Sequence, residues 1–181
     1  MLSIMENIKN EISNNLKDFF KELRDYLDTP LYFYGSVQRG DYFPGKSDID
    51  VDIFTDNETS TLFKLQHFLH IDKKDFKEII WRLNHNNKVV HGNKVMYKNN
   101  LENYSVEISI YNERIKDDIL KEHYNKINLP FYSSWLLILV KILYYDLNII
   151  NKKVFRYIKR QILTTVIGLP QDEFIILKNM T

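Results

Sequence analysis

Three aspartates at alternate positions, Asp48, Asp50 and Asp52, are the residues of this chain with the clearest capacity for chemistry. They interleave with Ile49, Val51 and Ile53, and side chains in a strand alternate between faces. A strand here puts the three carboxylates on one face and the aliphatics on the other. Like charges held about 4 Å apart repel by about 1 kcal/mol per pair even in bulk water, and by more near protein. A divalent cation offsets that cost most simply: hard oxygen ligands suit magnesium, whose usual shell combines one or two carboxylates with substrate phosphates.

The acidic strand follows an apolar, aromatic run, Leu31 to Tyr34, and a connection from Gly35 to Ser47 that holds three of the chain's five glycines, Gly35, Gly40 and Gly45. In order, Gly35-Ser36, Arg39-Gly40 and Ser47-Asp48-Ile49-Asp50-Val51 resemble the signature of the polymerase-beta-like nucleotidyltransferases, and most closely that of the small, minimal nucleotidyltransferase branch. The resemblance spans the first 110 residues or so, although the motif itself occupies only the stretch from Gly35 to Val51. It implies an α+β fold in which a small mixed sheet is flanked by helices. It also implies a nucleotide site at Gly35, Ser36, Arg39 and Ser47, where free backbone amides and a serine hydroxyl hold a triphosphate and the arginine adds a fork to a phosphate oxygen.

The same resemblance implies a third carboxylate on a later strand. Tyr104 to Tyr111 alternates again, with Val106, Ile108 and Ile110 on one face and Glu107 on the other. Glu107 matches by placement, although aspartate is commoner there in the resembled families. Asp48, Asp50 and Glu107 are therefore the expected catalytic and metal-binding set, holding two magnesium ions, with manganese an acceptable substitute. Asp52 competes with Glu107 for the third position, and a solvated or helix-capping carboxylate is its plainer reading.

The elements that must position these groups read as follows. A capping box at Ser3 and Glu6 opens an amphipathic helix that runs to Leu27 and stops before Asp28-Thr29-Pro30. Asp56 or Asn57 caps a helix containing Leu62, Leu65 and Leu69, and a second short helix is expected from Asp72 or Asp75 to Asn84. Gly92-Asn93 reads as the turn of a hairpin between Lys88–His91 and Lys94–Lys98. Beyond Asn112 no strand pattern remains: helices are expected over Arg114–Lys126, Phe131–Leu147 and Asn151–Gly168, with a final short one after Leu169-Pro170. This gives a catalytic core over residues 1–113 and a C-terminal helical region over 114–181.

Composition narrows the function classes. The absence of cysteine excludes disulfides, thiolate zinc sites and cysteine nucleophiles. The start of the chain lacks a signal-peptide pattern, which fits a cytoplasmic setting. The apolar run Trp135–Tyr145 is too short to span a membrane and is interrupted by Lys141, so it reads as a buried helix. Net charge is +1, but residues 114–181 carry 11 Lys/Arg against 6 Asp/Glu, whereas residues 1–113 carry 14 against 18. Lys152, Arg156, Lys159 and Arg160 fall at helical spacing, with Lys153 adjacent: a solvated face, or a patch for a nucleic-acid backbone or triphosphate. His67 and His70, one helical turn apart, lack a third metal ligand.

The expected activity is transfer of a nucleoside monophosphate from an NTP, with ATP the expected donor, to a hydroxyl of a protein, a small molecule or an RNA end. Two alternatives stand beside it. One is a small template-independent or repair-type polymerase; the other is an antitoxin-like binding partner of a helical toxin.

Overall fold

The computed structural model describes residues 5–166 and 175–179. Six strands form one mixed sheet: β1 (Tyr32–Tyr34), β2 (Ile49–Thr55), β3 (Lys77–Arg82), β4 (Val89–Asn99), β5 (Tyr104–Asn112) and β6 (Ile175–Asn179). Their spatial order is β1-β2-β5-β4-β3-β6. β2 and β5 run parallel and every other neighbouring pair is antiparallel. The parallel pair is the consequential one, because it sets Asp50 directly opposite Glu107.

The alternation of β2 and β5 decides which layer covers which face. Ile49, Val51, Ile53, Val106, Ile108 and Ile110 pack beneath two helices, α1 (Asn14–Leu27) and α2 (Glu58–Leu69), through Leu16, Phe20, Leu23, Leu62 and Leu65. The carboxylate face is covered only in part. There α3 (Lys116–Ile127) seats Ile119 and Leu120 against Phe54, Trp81, Val90 and Tyr111. Two further helices, α4 (Phe131–Tyr145) and α5 (Lys152–Gln161), pack on one another through Leu137, Val140, Phe155 and Ile158.

The sequence expectations meet the structure unevenly. The first helix begins at Asn14, with Ser13 as its cap accepting from the Leu16 amide; the Ser3 box lies outside the described residues. The segment ahead of it is held by the loop instead: Asn10 Nδ2 donates to the carbonyls of Val37 and Arg39, and Lys9 N donates to Gln38 Oε1. Asn57, rather than Asp56, caps α2. The short helix expected before Asn84 is strand β3, preceded by a single turn at Lys73–Asp75, because Ile79, Trp81 and Leu83 bury in alternation. Gly92-Asn93 is not a turn. β4 runs straight through it, and Gly92 is needed there because an added Cβ would come within 2.4 Å of the Tyr111 ring.

C-terminal helices are found at Lys116–Ile127, Phe131–Tyr145 and Lys152–Gln161 as expected, although the third is α-helical only to Gln161 and continues as a π-helical turn over Ile162–Val166. The end of the chain departs from expectation: residues 175–179 form β6 against β3, while 167–174 lie outside the described residues. Helix α4 is also less enclosed than its composition suggests. Ser133, Leu137, Val140 and Lys141 are buried, but Phe131 and Trp135 stay 78% and 58% exposed. Among the described residues no single helix is long and apolar enough to cross a membrane.

Candidate active site

Two strand ends and a loop build the site. β1 ends at Tyr34, and the chain turns at once into a single 3-10 turn, Gly35–Gln38. Gly35 has φ +69°, and a Cβ there would fall 1.9 Å from Asp50 Oδ2, so the backbone lies directly against that carboxylate. Ser36 follows, almost fully buried. Register then lines up Tyr34, Asp50 and Glu107 across β1, β2 and β5, with Met96 of β4 completing the row.

Asp50 is the electrostatic centre. Burial, together with the facing charge of Glu107, pushes its carboxyl up to about 7, against the pull of Lys159, Lys94 and Arg39. Glu107 accepts a 2.7 Å hydrogen bond from Lys94 Nζ, which neutralises part of that repulsion. Asp48, exposed at the mouth of β2, accepts a hydrogen bond from the Ser105 hydroxyl at the start of β5. Asp52 points the same way but is fully buried beneath α3, bonded to His123 Nε2 at 2.8 Å. It is neither solvated nor a helix cap, which corrects its plainer reading from sequence.

The remaining predicted residues are close by but differently employed. Arg39 turns its fork to Asp41, with Nε and a terminal nitrogen at 2.8 and 3.2 Å from the two carboxylate oxygens. The fork is thus spent on the loop rather than open to a phosphate. Ser47 Oγ accepts from the Phe43 amide and from Lys141 Nζ, both at 3.2 Å. Lys141 also sits 3.0 Å from Asp41 Oδ2 and donates to the Asp41 carbonyl, so one buried ammonium fastens α4 to the loop. Burial pulls that ammonium down to about 8, although Asp41 resists the fall. Burial also opposes ionisation of Asp41, but Arg39 and Lys141 outweigh it and hold its carboxyl below the ordinary range.

These groups open onto a cleft of about 490 Å³ between the sheet and the C-terminal helices. Its walls carry Gly35, Ser36, Asp48 and Asp50 on one side and Lys141, Lys152, Arg156 and Lys159 on the other, with Arg39, Lys46 and Lys98 around them. Of the basic residues singled out on α5, Lys152, Arg156 and Lys159 line the cleft, whereas Lys153 and Arg160 do not. Tyr144 stacks on Phe155 at 4.4 Å between ring centres, and Tyr145 lies beside both. Lys141, Lys94 and the Tyr144–Phe155 pair were not singled out from sequence as site residues. Lys141 carried the one available signal: a single charge in an otherwise apolar helix must find a buried partner.

The fit of a metal can be tested on the donors. Among the described residues no three carboxylate or imidazole groups converge as they stand, because Asp48 is turned to Ser105 and Glu107 to Lys94. Yet Asp48, Asp50 and Glu107 are all oxygen donors, the first two at the start of β2 and the third within the adjacent β5, and Asp50 and Glu107 repel one another. That is the donor chemistry a hard divalent cation relieves. His67 takes no part: its Nδ1 lies 3.0 Å from the Tyr26 hydroxyl on the far layer.

Comparison with known proteins identifies the class. The model of the family described as "Nucleotidyltransferase domain" matches residues 13–167, so the chain belongs to that family, within the polymerase-beta-like nucleotidyltransferases. Its fold is the α+β arrangement of that family, a mixed sheet flanked by helices and followed by C-terminal helices. No curated protein matches the chain. Solved structures similar to it include Cid1 poly(U) polymerase with MgGTP bound, at 19% identity and TM-score 0.40, covering 72% of this chain and 43% of that one. A Cid1 mutant bound to MgATP aligns at 18% identity and TM-score 0.40, over 82% and 50%. Cid1 with the UTP analogue UMPNPP aligns at 20% identity and TM-score 0.36, over 72% and 41%. The chain spans half or less of the length of each.

Proposed function

We propose that this protein transfers a nucleoside monophosphate from an NTP, with ATP the expected donor, to a hydroxyl at an RNA end. The observation that carries the reading is that Asp48 and Asp50 line a cleft whose other wall is cationic, with Glu107 on the neighbouring strand directly opposite Asp50. Asp48, Asp50 and Glu107 would hold two magnesium ions, which when bound supply Lewis-acid polarisation of the phosphates and of the attacking hydroxyl.

The chain's own residues do the rest. The Gly35–Ser36 turn and the ammonium group of Lys159 receive the triphosphate, and the Arg39–Asp41–Lys141 cluster keeps that turn rigid. The acceptor oxygen attacks the α-phosphorus, the bond to the bridging oxygen breaks, and pyrophosphate leaves with its charge spread over these donors. Glu107 takes the hydroxyl proton, and Lys94 steadies it meanwhile. Tyr144 and Phe155 offer a flat surface for a base.

An RNA acceptor is favoured over a small molecule because the cleft carries more cations than one triphosphate uses, and three of them run along α5. A protein hydroxyl is the remaining acceptor class. The test is incubation with each α-labelled NTP and magnesium, with short RNA, with bulk protein and with small-molecule extract in separate arms. Label on RNA alone supports the reading. Label on protein or a small product alone moves the acceptor, and no label in any arm contradicts it.

A further inference from the structure

Asp52 and His123 have no part in the chemistry described so far, yet they meet directly behind it. Asp52 is the third carboxylate of β2, two residues past Asp50 on the same face, and is fully buried. His123 lies on the inward side of α3, 5% exposed, with Nε2 at 2.8 Å from Asp52 Oδ2. Among the described residues Asp52 Oδ1 accepts no hydrogen bond, so the imidazole is the group on which this buried carboxylate depends.

The ring has a second job. It lies between two aromatic faces, stacked on Tyr34 at 3.8 Å between centres and 14° between planes, and on Trp81 at 5.9 Å and 24°. Tyr34 is the last residue of β1, the register partner of Asp50, and the residue from which Gly35 turns. One side chain from α3 therefore grips both the strand that carries Asp50 and the point where the Gly35–Ser36 turn begins. The tolerance there is small, because the Gly35 backbone already lies against Asp50 Oδ2.

We propose that His123 is a positioning residue for nucleotidyl transfer: through its hydrogen bond to Asp52 and its stack on Tyr34 it sets Asp50 and the Gly35–Ser36 turn in their working register. The inference rests on the transfer reading above. His123 touches neither substrate nor cation. It fixes the floor of the site from behind and ties α3 to the catalytic sheet.

Three variants separate this role from simple packing. His123→Gln places an amide nitrogen near Nε2 and keeps the bond. His123→Phe keeps a ring between Tyr34 and Trp81 but leaves Asp52 without its donor. Asp52→Leu with His123→Phe removes both polar partners, a swap that leaves stability close to neutral.

The readouts are kcat and KM for the NTP, the urea midpoint, and backbone amide exchange at residues 34–38 and 48–50. Displacement of reacting groups by about 1 Å costs up to about 100-fold in rate, so His123→Phe is expected to lose about 10- to 100-fold in kcat with KM little changed. His123→Gln retains kcat within about fivefold. The double variant regains the urea midpoint but not kcat, and exchange at 34–38 quickens in it as in His123→Phe. Should His123→Phe fail to fold, the double variant decides. Wild-type kcat and exchange in the double variant, or equal losses in Gln and Phe, would overturn the proposal. Absence of transfer by the wild type would instead contradict the transfer reading, and exchange alone would then judge His123.

Discussion

Asp50→Asn should make the protein more stable while making it inactive. Asp50 is held against the Gly35 backbone and opposite Glu107, and its carboxyl is raised from 3.8 to about 7. Because the folded-state value exceeds the unfolded one, the ionised form is disfavoured in the fold. The penalty is absent below about pH 4, where both states are protonated, grows as pH rises towards 7, and is complete above it. Three units at about 1.4 kcal/mol each set a ceiling of about 4 kcal/mol. Solvent at the cleft and the Lys94–Glu107 pair relieve part of that, leaving an expected gain of about 1–2 kcal/mol for Asp50→Asn at pH 8. The assay is urea unfolding of wild type and variant in EDTA at pH 8 and at pH 4. The gain should appear at pH 8 and vanish at pH 4, and saturating magnesium at pH 8 should narrow it by stabilising the wild type. A variant no more stable than wild type at pH 8 in EDTA would refute the reasoning.

Other predictions follow from the same contacts. Gly35→Ala, with φ +69° and a clash on Asp50, is expected to lose about 2 kcal/mol by urea melt and essentially all transfer; a stable, active variant would contradict the placement of the turn. Arg39→Ala removes a bidentate partner of fully buried Asp41 and should cost about 3 kcal/mol in unfolding free energy. Glu122 is nearly fully buried on α3; burial opposes its ionisation, but hydrogen bonds from His85 and Asn84 and the Lys126 charge hold its carboxyl below 4.5. The stability it contributes is present above pH 4.5 and lost as pH falls through its lowered value, so the gap between wild type and Glu122→Gln in urea melts should close in acid. Arg156→Glu with Lys159→Glu should weaken RNA binding about tenfold at low salt and flatten its salt dependence, measured by fluorescence anisotropy.

What the chain disclosed by itself was the part governed by local pattern. A period of two set Asp48 and Asp50 on one face at the start of β2 and Glu107 apart from the aliphatics of β5, Gly35-Ser36 announced the turn, and only the family resemblance implied that the two strands bring these carboxylates together. Segments whose form depends on distant contacts were misread. Phe76, Ile79, Ile80 and Leu83 fit a helical stripe as well as a strand, and only pairing with β4 decides between them. Gly92-Asn93 imitates a hairpin turn because the Tyr111 ring that requires the glycine is remote in sequence. Arg39 looked free for phosphate although Asp41 stands two residues away, and the geometry of that loop is what joins them. Lys94 with Glu107, Asp52 with His123 and Asp41 with Lys141 are pairs made by register and docking, and no spacing rule exposes them.

The central claim is that Asp48, Asp50 and Glu107 form one transfer centre served by the Gly35–Ser36 turn. The most direct measurement is pyrophosphate released per labelled nucleotide incorporated into RNA, in wild type, Asp48→Asn and Glu107→Gln, each with magnesium and with EDTA. The account predicts a one-to-one ratio in wild type with magnesium, and loss of both signals in EDTA and in either variant. Undiminished release and incorporation in Asp48→Asn or Glu107→Gln would contradict it.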